Sequence, residues 1–329
     1  MKADGSPIDI KKIKELSKYG LKNCCPEDRL YDWLVLSGVL PLQPENWEKR
    51  IEEITTNYQN FINLFEVNNY ENHIFPNSTL ITEFQVPDNK LMETIHNDLI
   101  RTGHHLRYLP FIDKSIETNS ENTLLPYHFH MRRIERALYI FSKCNPSLSY
   151  MQGFNEIISV LYYVVASSII VFNYNWNKGE AITFYLFQQI LAVSNLHELY
   201  TTTDQSSLIY RQLNNFMSLL SVKLPIAASK IKRLNIHPMQ FGFKRLTLMF
   251  SQDFEIPMLI VLWDSLFTHL NELIEYECYV LIGYISIIED LLIEDDYSMS
   301  VEVLLKLKIC DSSKIVQKAN ELYEASKLK

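Results

Sequence analysis

The chain has 329 residues, 47% of them hydrophobic and 21% charged, with a formal net charge of −8. That length suffices for one large core or two joined lobes, and the acidic balance lacks the basic surface that phosphate-backbone binding demands, so no nucleic-acid partner is expected. Only 8 glycines and 12 prolines occur, few for an all-β chain with many tight turns, while Leu, Ile, Glu and Lys abound; a helical globular protein is expected.

A frayed tail over residues 1–9 gives way at Ile10 to a helical pattern that Gly20 stops. Pro26-Glu27-Asp28 opens a second helix carrying Leu30, Trp33 and Leu34, and Pro41 and Pro44 break it. Trp47, Ile51, Ile54, Tyr58, Ile62 and Phe65 then recur at helical spacing. Val67 to Asn77 is rich in Asn and reads as a loop. A helix from about Pro87 to Thr102 carries the stripe Leu91, Ile95 and Leu99 and ends at Gly103. The polar stretch Asp113 to Thr123 reads as an exposed insertion. Further helices are expected at about 127–143, 150–172, 178–195, 206–221, 239–250, 257–270, 274–291 and 312–327. No sustained period-two alternation, internal repeat or heptad run occurs, so no sheet is expected.

The uncharged run Ile157 to Phe172 is short of the roughly 20 residues a membrane span needs, and reads as a buried central helix. Two basic clusters, Arg132, Arg133 and Arg136 and again Lys223 to Arg233, read as solvated helix faces. The five cysteines are odd in number and form no CxxC pair, which argues against a disulfide framework and a cysteine-held zinc. Neither a secretory signal nor a membrane span is evident, so a cytoplasmic setting is expected. His128 and His130 form an HxH, His104 and His105 are adjacent, and His197-Glu198 begins an HExxH whose second histidine is missing. No metal site is expected from these. Nor does any GxSxG, Walker loop or GxGxxG occur, so nucleophilic hydrolysis and direct nucleotide binding lack support.

Two segments remain. In Ile95-His-Asn-Asp98-Leu-Ile-Arg101-Thr102, Asp98 and Arg101 share a helix face. Alone, the pair is read best as a surface ion pair beside the negative end of the helix dipole. In Ser149-Tyr150-Met-Gln152-Gly153-Phe-Asn155-Glu156, Ser149 and Gln152 fit an S-x-x-Q capping box. Gly153 is out of place in such a box, because glycine in a helix costs about 1 kcal/mol against alanine; close approach of another backbone would account for it.

Together the two segments resemble the signature pair of the TBC family of Rab GTPase-activating domains. Ile95, Asp98 and Arg101 match its IxxDxxR, and Tyr150 and Gln152 match its YxQ, which extends here as YMQGFNEI, similar to the subgroup with YxQGxNEI. The resemblance runs over about residues 15–325, from Arg29 and Trp33 through the LWDSLF of 262–267 to the last helix. Departures are Lys244-Arg245 where the family usually has Arg-Trp, and Ser149 where it usually has Gly before the tyrosine. The resemblance implies an all-α, two-lobed fold without a sheet. Residues 1–12 would be a tail and 13–327 a single TBC domain, with an N-terminal lobe to about 175 and a C-terminal lobe from about 176.

It also implies a partner, a Rab-family small GTPase in its GTP form, whose hydrolysis this chain would accelerate. Arg101 would be an arginine finger and Gln152 a glutamine finger, both in trans. Asp98 would position Arg101, while Tyr150, Gly153 and Asn155 would shape the loop. GTP and magnesium would belong to the partner, leaving this chain no cofactor of its own, and membrane association would be peripheral, at endomembranes, through the GTPase. The alternative is a catalytically inactive TBC scaffold that binds a small GTPase.

Overall fold

The computed structural model describes residues 6–72, 86–111, 124–200, 207–293, 296–306 and 311–328. The expected insertion from Asp113 to Thr123 falls entirely outside them, as does the loop beyond Asn72 up to Asn77. The described residues are helical, with no strand among them. In chain order the helices are α1 (Ile10–Ser17), α2 (Pro26–Leu36), α3 (Trp47–Leu64), α4 (Asn89–Arg101), α5 (Gly103–Leu106), α6 (His128–Cys144), α7 (Phe154–Ser167) and α8 (Trp176–Ser194). They continue as α9 (Leu208–Lys223), α10 (Pro225–Arg233), α11 (Pro238–Phe241), α12 (Phe243–Thr247), α13 (Ile256–Thr268), α14 (Leu273–Ile288), α15 (Tyr297–Lys306) and α16 (Ser312–Lys327). Two compact units form, one from Met1–Ile10 with Cys24–Gln189, the other from Lys11–Asn23 with Ile190–Lys329.

In the first unit, Pro26 pre-sets the first turn of α2 and Glu27 and Asp28 favour its positive end. Asp88 caps α4, its carboxylate accepting from the Leu91 amide at 3.1 Å. Met92, Ile95 and Leu99 are fully buried along one side of α4, against α6 and α7. Burial of that stripe contributes about 1.5–3 kcal/mol per side chain and fixes which side of α4 remains for Arg101. The apolar run read as a central helix is one, but shorter than expected. Regular helix spans Phe154–Ser167, and a 3₁₀ turn over Ile169–Phe172 follows. No helix among the described residues is long and apolar enough to cross a membrane.

The α6 arginines correct the expectation of a solvated face: Arg132, Arg133 and Arg136 are all buried. Arg136 donates from Nε to Glu180 Oε1 and from a terminal nitrogen to Oε2, both at 2.6 Å, and also pairs with Glu71. Arg133 reaches Glu180 at 2.6 Å and lies 4.4 Å from the centre of the Phe129 ring, while Arg132 pairs with Glu135. Tyr58 donates to Glu180 and Tyr70 to Glu135, each at 2.8 Å. Burial alone would push these carboxyls up, but the adjacent arginines hold both below the ordinary value. Local charge patterning missed this because Glu180 lies 44 residues from Arg136, on another helix. The second basic cluster behaves as expected only in part: Lys232 and Arg233 are exposed on α10, while Lys223 and Lys230 are half-buried and donate to the Leu322 and Glu289 carbonyls.

In the second unit, Gly20 closes the end of α1 at φ +81°. The helix expected at 239–250 is instead two short ones, α11 and α12, followed by Met249 and Phe250 at positive φ. Trp263 on α13 is fully buried, and its indole donates to the Met249 carbonyl at 2.8 Å, tying down that left-handed corner. Arg245, standing where the TBC pattern usually has Trp, does the work of a buried ring. Its guanidinium lies 4.3 Å from the centre of the Tyr284 ring and donates to Asp253, Phe241 O and Leu304 O.

Trp263→Ala should lower stability by about 3–5 kcal/mol, read from denaturant melts, because it leaves a cavity and frees the Met249 carbonyl. Glu277 on α14 offers a second test. It is fully buried, neither carboxylate oxygen has a hydrogen-bond partner among the described residues, and burial pushes its carboxyl well above the usual 4.5. A value raised in the folded state means that stability is complete below the unfolded value and falls as pH rises towards the folded one. Glu277→Met should therefore stabilise by about 1–3 kcal/mol for the unsatisfied buried group it removes, and by more at pH 7 than below the unfolded value of 4.5. Melts at both pH values check it.

Candidate functional site

The C-terminal turn of α4 and the segment leading into α7 meet through buried polar side chains. Asp98, nearly buried on α4, accepts from Arg101 at 3.1 Å on Oδ1 and from the Tyr150 hydroxyl at 3.0 Å on Oδ2. The same hydroxyl lies 3.0 Å from Asn155 Oδ1. A phenol carries one proton, and the carboxylate is the stronger acceptor. Asn155 Oδ1 is served instead by the Gly153 amide, also at 3.0 Å. The Asn155 amide group donates to the Asp98 carbonyl at 3.2 Å and to the Thr102 hydroxyl at 2.6 Å, and that hydroxyl donates in turn to the Asp98 carbonyl. Asp98, Tyr150, Gly153 and Asn155 are thus one connected unit, joining residues 52 apart in sequence.

Arg101 is attached to this unit only at its edge. Its side chain is 71% exposed, so the ion pair with Asp98 is worth about 0–1 kcal/mol and holds the guanidinium loosely. Gln152 is exposed as well. The capping box expected for it does not form: α7 begins at Phe154, with Gly153 at its N-cap and no side-chain cap bond. A turn closes from the Phe154 amide to the Met151 carbonyl at 3.1 Å, with Gln152 and Gly153 as its central pair. Gly153 stands at φ +111°, the positive φ that a type II turn requires at its third position. That backbone demand accounts for a glycine at this position. Thr102, which the sequence offered only as a helix end, belongs to the unit too and is fully buried.

Residues 33–291 match the Rab-GTPase-TBC domain family. The chain belongs to that family. It is 33% identical over 197 residues to TBC1 domain family member 13 of Homo sapiens, a match covering 60% of this chain and 48% of that protein. Its match to the GTPase-activating protein GYP7 of Saccharomyces cerevisiae is 22% over 139 residues, 42% of this chain and 16% of the other. The chain thus spans half or less of the curated relatives it matches. Among solved structures, the Ypt/Rab-GAP domain of Gyp1p superposes with a TM-score of 0.72 at 16% identity, over 99% of this chain and 95% of that one. The TBC domain of a Chlamydomonas flagellar RabGAP gives 0.58 over 96% and 86%. The all-helical TBC fold is therefore the fold of this chain.

Within this TBC domain, Ser149 takes a left-handed backbone, φ +56°, where the family pattern usually has glycine. The remaining histidines of the sequence divide sharply. His130 is buried with Nε2 donating to the Pro110 carbonyl at 2.8 Å and Nδ1 bonded to the Tyr162 hydroxyl at 2.9 Å. Burial pulls its pKa down to about 4, so His130 is a neutral core residue, while His128 is half-buried with its Nδ1 2.8 Å from the Leu125 carbonyl. His197 bonds the Leu191 carbonyl. His104 and His105 on α5 behave differently: both rings turn an Nε2 toward Glu156 on α7. Spacing along the chain gave no hint of that meeting.

The left-handed conformation costs a non-glycine residue about 1–2 kcal/mol, partly offset by the greater freedom glycine has when unfolded. Ser149→Gly should therefore leave stability unchanged or raise it by up to about 1 kcal/mol, as measured by chemical denaturation. A loss above that size would show that the serine hydroxyl holds the turn.

Proposed function

We propose that this TBC domain is a GTPase-activating protein for a Rab-type GTPase, completing the partner's active site with Arg101 and Gln152. The observation that carries the reading is the bridge of buried Asp98, Asn155 and Thr102 with half-buried Tyr150, which ties both motif segments together yet leaves Arg101 and Gln152 exposed. A rigid base under two solvent-facing polar side chains is what action in trans demands. The matched relative GYP7 is named a GTPase-activating protein, and the matched Gyp1p domain a Ypt/Rab-GAP domain.

Hydrolysis builds charge on the γ-phosphate and the leaving oxygen. An arginine delivered in trans accelerates it by about 10³–10⁵, or about 4–7 kcal/mol. Arg101 suits this role because its planar fork is always charged, and leaving Asp98 for a phosphate sacrifices little. Gln152 orients the attacking water in place of the partner's own glutamine. Asp98, Tyr150, Gly153 and Asn155 act as positioning residues. GTP and magnesium are held by the partner, and the domain meets endomembranes through it.

Single-turnover hydrolysis with a panel of GTP-loaded Rab proteins tests this. Arg101→Ala should lose at least about 10³ of the acceleration, and Arg101→Lys nearly as much, with unchanged melting temperatures. Gln152→Ala should lose most of it too, whereas a partner whose switch glutamine is changed to leucine should still respond. Binding of loaded Rab without acceleration by the parent chain would mark an inactive scaffold instead. Full activity of Gln152→Ala would leave Arg101 as the only finger.

A further inference from the structure

The geometry points to a zinc-class metal site formed by His104, His105 and Glu156, beside the bridge that supports Arg101. His104 Nε2 lies 3.4 Å and His105 Nε2 lies 3.2 Å from the same oxygen, Glu156 Oε2, and the three ligand atoms fall within 4.8 Å of one another. A tetrahedral ion with bonds of about 2.0–2.2 Å sets its ligand atoms about 3.3–3.5 Å apart. The two separations are close to that edge length and longer than the roughly 2.7–2.9 Å of a charge-assisted hydrogen bond. Consecutive helical residues ordinarily diverge, but these two rings lie 4.0 Å apart at 47° and converge on one point.

Burial supplies an independent observation. The His105 side chain is 1% exposed, and its Nε2 makes no hydrogen bond among the described residues while aimed at the cluster. A buried ring nitrogen left so is costly unless something else engages it. Glu156 is 6% exposed and His104 40%, so the cluster is closed on the protein side and reachable at His104. Two neutral imidazoles and a carboxylate form an N₂O set, leaving a fourth position for water. Nitrogen donors disfavour magnesium and calcium, which prefer oxygen. Such an ion would pin α5 to the first turn of α7, the joint that Thr102 and Asn155 already make.

The chain, stripped with chelator, is dialysed against Co²⁺, which absorbs strongly in the visible when four-coordinate and weakly when six-coordinate. About one Co²⁺ per chain, with a strong band displaced by Zn²⁺ and not by Mg²⁺, is expected. His104→Ala, the most exposed ligand, should weaken binding by at least about tenfold, the range that loss of even an outer partner produces, while its melting curve in chelator matches the parent's. Glu156→Gln, nearly isosteric, should also lose the band, with circular dichroism confirming that it remains folded. Absence of a band, a weak six-coordinate band, or parental affinity in both variants would overturn the site. Every readout is taken without a GTPase, so failure here is distinct from failure of the activating role.

Discussion

The buried amide of Asn155 is the constraint on which the candidate site depends. An amide removed from water has to place its donors and its acceptor, or lose about 1–3 kcal/mol for each group left unmade. Here it finds the Gly153 amide on one side and the Asp98 carbonyl and Thr102 hydroxyl on the other. Those partners sit on the turn before α7 and on the last turn of α4, so one side chain fixes the two segments against each other. Asp98 repeats the tie through Tyr150. The α4 carbonyl that Asn155 engages is one of the helix-end acceptors that lack an intrahelical donor. The site is therefore built from needs that the helix end already has.

A second layer of constraint lies beneath it. The α4 stripe rests on α6, and α6 carries the buried arginines paired with Glu180 and Glu135. Such clusters add little net stability, but breaking one partner is costly because an unmatched charge remains buried. Both carboxyls are held below their ordinary value, so the stability they contribute is present above the unfolded carboxylate value and is lost as pH falls through the folded one. Their effect on α4 is positional: each charge must meet its counterpart, which rules out sliding of α6 along its neighbours.

Much of the fold was legible because its period is local. The stripe Leu91, Ile95 and Leu99 located α4 to within two residues at its start and one at its end. The paired motifs singled out Asp98, Tyr150, Gly153 and Asn155, which the structure joins by hydrogen bonds. What escaped depended on backbone sign or on distant partners. The start of α7 was set too early because positive φ at Ser149 and Gly153 leaves no mark on hydrophobic spacing. The α6 arginines passed for a solvated face because Glu180 and Glu71 lie far along the chain. Thr102 and the His104–His105–Glu156 cluster escaped for the same reason, since only the folded chain brings α5 to α7.

The turn before α7 also shows why the capping reading and the finger reading of Gln152 exclude each other. A capping-box glutamine folds back on its helix terminus, and its amide is then occupied by the backbone. In this chain the first turn of α7 is served from inside, by Asn155 accepting from Gly153. Gln152 occupies the second position of a turn whose following residue is glycine at positive φ, and it faces solvent. Had Ser149 and Gln152 formed the cap, the helix would have started earlier and drawn the glutamine into its own hydrogen bonds. By assigning the terminus to a buried asparagine, the sequence leaves the Gln152 amide exposed on the turn and outside the capping of its own helix.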